Sequence, residues 1–213
     1  MILTPVAAHS LPDLLARFGD SLSEPEVAGV FARIAWPEHA ERAAGEDAVR
    51  HHRQALALAA DFGMDILPGP PTAGFSWDGM YLRSDTEAYV LVHEVAHFQL
   101  ASPARRHIID FGLGAGPETG EREAADRVTS VTGPARESEE AMASLLGILW
   151  EVELDQPALA SFLDQNWLEG AGRPGAGAYF ETVLGRLRAG GFLDADLRPT
   201  RHLRNEPDSL LLD

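Results

Sequence analysis

His93, Glu94 and His97 stand in the order His-Glu-Val-Ala-His. On an α-helix, residues four apart are stacked on one face, so both imidazoles can aim a nitrogen at a single ion. Glu94 lies about 100° further round the helix. It is near enough to handle a proton on a metal-bound water without being a ligand itself. The flanking Val90, Leu91, Val92, Val95, Ala96 and Phe98 are apolar, so the helix is expected to be buried on almost every side. Buried polar groups need partners, and for two stacked histidines a metal ion is the economical one.

Two histidines need at least one further ligand. The zinc-peptidase pattern with a third histidine six residues on meets Pro103 instead, and His107 stands ten residues on without that pattern's glycine. His107 therefore reads as a surface residue. Glu137, Glu139 and Glu140 open the run RESEEAMASLLGILW, and a carboxylate there could reach back to the histidines or simply complement the helix dipole. Two histidines and a carboxylate serve both zinc hydrolases and non-haem Fe(II) oxygenases, so the ligand set leaves zinc and iron open. With zinc, Glu94 would be the general base of a peptidase. A third possibility is a metal-stabilised interaction module without catalysis.

These residues must be positioned by a mainly helical chain. Apolar periodicity predicts helices from Ser10 and from Pro25. A run rich in the helix formers Ala, Glu, Arg and His predicts another from Pro37 to about Ala60 ending at Phe62-Gly63, and helical patterns resume over 121–131, 137–154, 156–167 and 178–187. The stretch FSWDGMYLR places Asp78-Gly79 between two aromatic runs, which predicts a small β-hairpin. Ser84 and Glu87 have the spacing of a capping box at the start of the motif helix. A short helix is expected from Ser102-Pro103 to Phe111-Gly112. The fold class is thus mainly α (α+β), one α-rich domain over 1–213 with a hairpin element and a central histidine-bearing helix. Residues 202–213 read as a flexible tail. His39 and the pair His51-His52 sit among charged residues and read as surface, whereas Trp77 and Tyr81 read as core.

Composition removes several chemistries. The chain has no cysteine, so disulfides, thiolate metal sites and cysteine nucleophiles are out. All seventeen basic residues are arginine, which excludes a lysine Schiff base and a phosphate-loop lysine. The formal net charge is −16, a field that repels nucleic acid and anionic lipid and favours a basic protein segment. No apolar run has membrane-spanning length, and the opening MILTPVAAHSLPDLL lacks the basic region of a signal peptide. A cytoplasmic location is expected.

Beyond the motif, HEVAHFQLASPARRHIIDFG resembles the elongation factor P hydroxylase family, through His93, Glu94, His97, Ala104, Arg105, Arg106, Asp110, Phe111 and Gly112 at ungapped spacing. Glu137 with Glu140 keeps the spacing of a downstream Glu-x-x-Glu, and Asn166–Gly170 is close to a later Asn-Leu-Glu-Gly. After Gly112 the family's aromatic Tyr-Trp-Tyr is replaced by Leu113-Gly-Ala-Gly. The resemblance implies an iron-dependent hydroxylase that uses dioxygen on a protein side chain, with His93, His97 and Glu140 (or Glu139) as ligands. The expected substrate is an elongation factor P-like protein or a related small molecule. Arg105 or Arg106 could bind a substrate carboxylate or pair with Asp110, and Asp110 could brace a ligating histidine.

Overall fold

The computed structural model describes residues 8–168 and 175–208. Glu169 and Gly170 of the Asn166–Gly170 match lie outside them, as do residues 1–7 and 209–213. Proline and glycine set most helix ends. Pro12 and Pro25 occupy the first turns of α1 (Leu11–Asp20) and α2 (Pro25–Ile34), where a missing N–H costs nothing. α3 (Gly45–Asp61) is followed by Gly63 at φ 78, the left-handed residue that ends helices. It starts later than expected because Pro37–His39 forms only a 3-10 turn. The remaining helices are α4 (Ala88–Leu100), α5 (Arg122–Arg127), α6 (Gly133–Glu153), α7 (Ala158–Asp164) and α8 (Ala176–Ala189). The mainly helical expectation holds.

The chain divides into two compact units, Met1–Ala44 with Ile148–Thr200, and Gly45–Gly147 with Arg201–Asp213. The first unit is built on four phenylalanines. Phe18 meets Phe31, Phe162 and Phe180 at ring-centroid distances of 4.8, 5.5 and 5.6 Å, the last two edge-on. Edge-to-face packing suits the ring quadrupoles. Phe180→Ala removes a fully buried ring and should cost about 3–5 kcal/mol. Urea titration would show a lower midpoint at unchanged slope; a loss under about 1 kcal/mol would mean that this cluster is not the core of the unit.

The same unit buries Glu151, 2% exposed, and neither carboxylate oxygen has a hydrogen bond. Arg42 is 3.7 Å away but hydrogen-bonds Ser161 and Asp164. Burial pushes the Glu151 carboxyl from 4.5 up to about 7. The folded state then holds this proton more tightly than the unfolded chain. Its contribution is full below pH 4.5 and is lost as pH rises through about 7. Glu151→Gln should therefore gain on the wild type between pH 5 and pH 8, by at most about 3 kcal/mol. A stability difference that stays flat over that range would contradict the assignment.

The second unit packs α3 against α4 beside a two-stranded sheet. Strands β1 (Asp65–Leu67) and β2 (Tyr81–Arg83) pair in parallel, Asp65 opposite Tyr81. The predicted hairpin turn is present: Asp78 N–H donates to Tyr81 O, Arg83 N–H donates to Ser76 O, and Trp77 bridges Leu82 antiparallel. It is one bridge rather than a ladder, and β2 completes its pairing with β1 instead. At its tip Gly79 (φ 93) comes so close to His107 O that a Cβ would stand 2.7 Å from it.

Three other expectations are corrected. The motif helix starts at Ala88 with Glu87 as its N-cap and no capping side-chain bond, while Ser84 Oγ bonds Asp85. No continuous helix spans 102–112. Two 3-10 turns, Arg105–His107 and Ile109–Gly112, are separated by extended Ile108, and the second contains left-handed Asp110 (φ 43) and Phe111 (φ 54), a costly conformation for such residues. Residues 202–208 are not loose: Gln99 and Arg204 exchange backbone and side-chain hydrogen bonds with their neighbours, and Arg204 is 2% exposed. Among the described residues, no helix is long and apolar enough to cross a membrane.

Candidate metal centre

α4 carries the motif through the middle of the second unit, with Val90–Val92 and Val95–Leu100 buried. Its stacked histidines converge as the spacing requires. His93 Nε2 and His97 Nε2 are 3.0 Å apart, with the rings nearly perpendicular. Glu140 Oε2, from α6, lies 3.4 Å from His97 Nε2. Ligand atoms of His93, His97 and Glu140 all fall within 4.8 Å of one another. Two nitrogens about 2.1 Å from one ion would stand roughly 3.0–3.4 Å apart, so the pair fits a shared ion.

Electrostatics agree with that convergence. Burial, helped by the charge on His97, pushes His93 down to about 3. Burial also disfavours a charged His97, but the carboxylates of Glu140, Glu94 and Glu139 outweigh it and hold the ring up to about 9. Burial would raise Glu140, yet the two histidines and Arg136 bring it down to about 2. The proton on His97 thus occupies the point where three donors meet, which a divalent cation would fill in its place.

Glu94 lies beside this point, half-buried and hydrogen-bonded with Ser76. Burial, together with the nearby charges of Asp110 and Glu140, pushes its carboxyl up to about 8. It therefore holds a proton at neutral pH, and a bound cation would favour its release.

The two candidate glutamates separate cleanly. Glu139 is 4% exposed and turned away from the histidines into a bidentate pair with Arg105, at 3.0 and 2.5 Å. Glu137 is exposed. α6 begins at Gly133 rather than Glu137, so all three acids lie past its first turn and the helix-dipole reading does not apply to them.

Neither arginine faces the histidines. Arg105, 2% exposed, donates to Glu139, Phe111 O and Asp208. Arg106 donates to Phe98 O and Arg204 O and covers the Phe98 ring, so the expected Arg106–Asp110 pair is not formed. Asp110 accepts instead from Thr119 Oγ1 at 2.6 Å, and its own N–H donates to Trp77 O. It does not brace a histidine by a hydrogen bond; His93 Nδ1 and His97 Nδ1 have no partner.

What Asp110 does hold is the left-handed turn that presents Phe111. That ring stacks on His97 at 5.7 Å and on Trp77 at 5.7 Å, and Trp77 Nε1 donates to Arg106 O. An aromatic wall is thus present although the rings expected after Gly112 are absent. Phe111 lies within the resembling stretch, but its role depends on a positive φ that local pattern does not announce. Ser76, Thr119 and Asp208 reach the site from distant positions and gave no signal. Of the other histidines, His107 is exposed as expected, but His51 is buried and His52 bonds Ser84 O at 2.7 Å, because α3 packs that face against α4. Trp77 is core, and Tyr81 is half-buried.

Compared with family models, curated proteins and solved structures, the chain matches none of them.

Proposed function

We propose that this protein is a cytoplasmic, non-haem iron hydroxylase similar to the elongation factor P hydroxylases. The reading is carried by two imidazole nitrogens and a Glu140 carboxylate oxygen that lie within 4.8 Å of one another, a ligand set that would suit Fe(II). The resemblance over His93–Gly112 supports iron over zinc. Bound there, Fe(II) would supply dioxygen activation, with one oxygen atom entering a C–H bond, the other leaving as water, and two electrons and two protons coming from a donor and solvent.

The chain's own residues have separable tasks. His93, His97 and Glu140 hold the ion. Glu94 takes up or returns a proton at its carboxyl, steadied by Ser76. Phe111 fixes the His97 ring and, with Trp77, keeps water from that side. The net charge of −16 favours a basic segment of a protein substrate, or a small cationic molecule, over nucleic acid.

Mass spectrometry of a gene-deletion strain tests this reading. The expected result is a protein or metabolite lighter by one oxygen atom, restored by the wild-type gene. Purified protein that carries zinc and cleaves peptides in a Glu94-dependent manner would replace the hydroxylase with a peptidase. Metal binding with neither activity would leave a metal-stabilised interaction module.

A further inference from the structure

We propose that Arg105 is the positioning residue for the third ligand: by gripping Glu139 it fixes the turn of α6 from which Glu140 faces the two histidines. The proposal rests on the metal-site reading above. Glu139 and Glu140 are neighbours on α6, about 100° apart round the axis, so holding one side chain sets the direction of the other. Arg105 holds Glu139 through two guanidinium nitrogens, at 3.0 and 2.5 Å, with side chains 3% and 5% exposed. A fork-to-fork pair of this kind fixes orientation as well as distance.

Two further contacts make the grip specific to the site. Arg105 Nη1 also donates to Phe111 O at 2.9 Å, and Phe111 is the ring stacked on His97. One guanidinium therefore ties the residue behind His97 to the neighbour of Glu140. At its other edge Nε donates to Asp208, which also accepts from Ser102 Oγ, so the segment after Arg201 closes the network. Further along α6, Gly147 lies seven residues past Glu140 and so on the same face. A Cβ there would stand 3.4 Å from His93 Cα. The helix is thus seated against α4 at Gly147 and held from turning at Glu139. With four of its five N–H donors engaged and 2% exposure, Arg105 is closed to a substrate carboxylate. A buried ion pair adds little net stability over an apolar replacement, so its value here is the direction it imposes.

Titration with cobalt(II) alone, followed by calorimetry and visible absorption, tests the relay in four proteins: wild type, Arg105→Gln, Glu140→Ala and the double variant. Arg105→Gln should weaken cobalt binding about ten- to a hundredfold and shift the absorption towards that of Glu140→Ala. In the Glu140→Ala background the same change should alter affinity less than about twofold, because the ligand it positions is already gone. An equal loss in both backgrounds would mean a general structural role and overturn the proposal, as would wild-type affinity and spectrum in Arg105→Gln. If that variant does not fold, Arg105→Met paired with Glu139→Gln leaves no buried charge unpaired, and the same two outcomes decide. Failure of the wild type to bind cobalt would instead overturn the metal-site reading, and the relay with it.

Discussion

His97→Ala is expected to abolish stoichiometric metal binding. Its Nε2 is the atom both other ligands approach, at 3.0 Å from His93 and 3.4 Å from Glu140. Without it the stacked histidine pair of α4, the chelating unit that Glu140→Ala retains, is gone, and only one imidazole and a carboxylate from another helix remain. Apparent affinity should fall on the order of a thousandfold or more, since ligand bonds carry most of the binding energy. His107→Ala, exposed and away from the histidine pair, should keep wild-type content and serves as the control. Equal metal in the two variants by elemental analysis would mean that the ion, if any, binds elsewhere.

Glu94→Gln should behave in the opposite way. The replacement keeps the shape of the side chain and its ability to bond Ser76, but it removes the group that takes up a proton. Glu94 is not among the three residues whose ligand atoms converge, so metal content should stay at the wild-type level. Turnover, measured on the species that accumulates in the deletion strain, should fall by about 10²–10⁴, the usual contribution of a positioned acid or base. Unchanged turnover would remove Glu94 from the chemistry. Loss of metal as complete as in His97→Ala would make it a ligand instead.

The site was more legible than its surroundings, for a physical reason. Helical stacking at four-residue spacing is local, so the convergence of His93 and His97 follows from pattern alone. Choosing between Glu139 and Glu140 did not, because it depends on Arg105 claiming the first, a contact 34 residues away in sequence. Tertiary packing likewise defeated the local readings of Ser84 and Glu87 as a cap, and of His51 as a surface residue. The expected helix over 102–112 failed at Asp110 and Phe111, where hydrogen bonds to Trp77 and Thr119 hold a left-handed turn that propensity disfavours. Departures of that kind gather where a side chain must be aimed, and here the aimed ring is the one on His97. The hairpin turn at Asp78-Gly79 was readable from its residues. Its partner β1 was not, since three residues of strand carry too little pattern to distinguish.

Anomalous diffraction from crystals grown with ferrous iron, recorded on both sides of the iron absorption edge, bears most directly on all of this. One peak within bonding distance of His93 Nε2, His97 Nε2 and a Glu140 oxygen, with Glu139 still on Arg105, is the predicted result. Imidazoles turned apart, with no anomalous density between them at full iron loading, would contradict it.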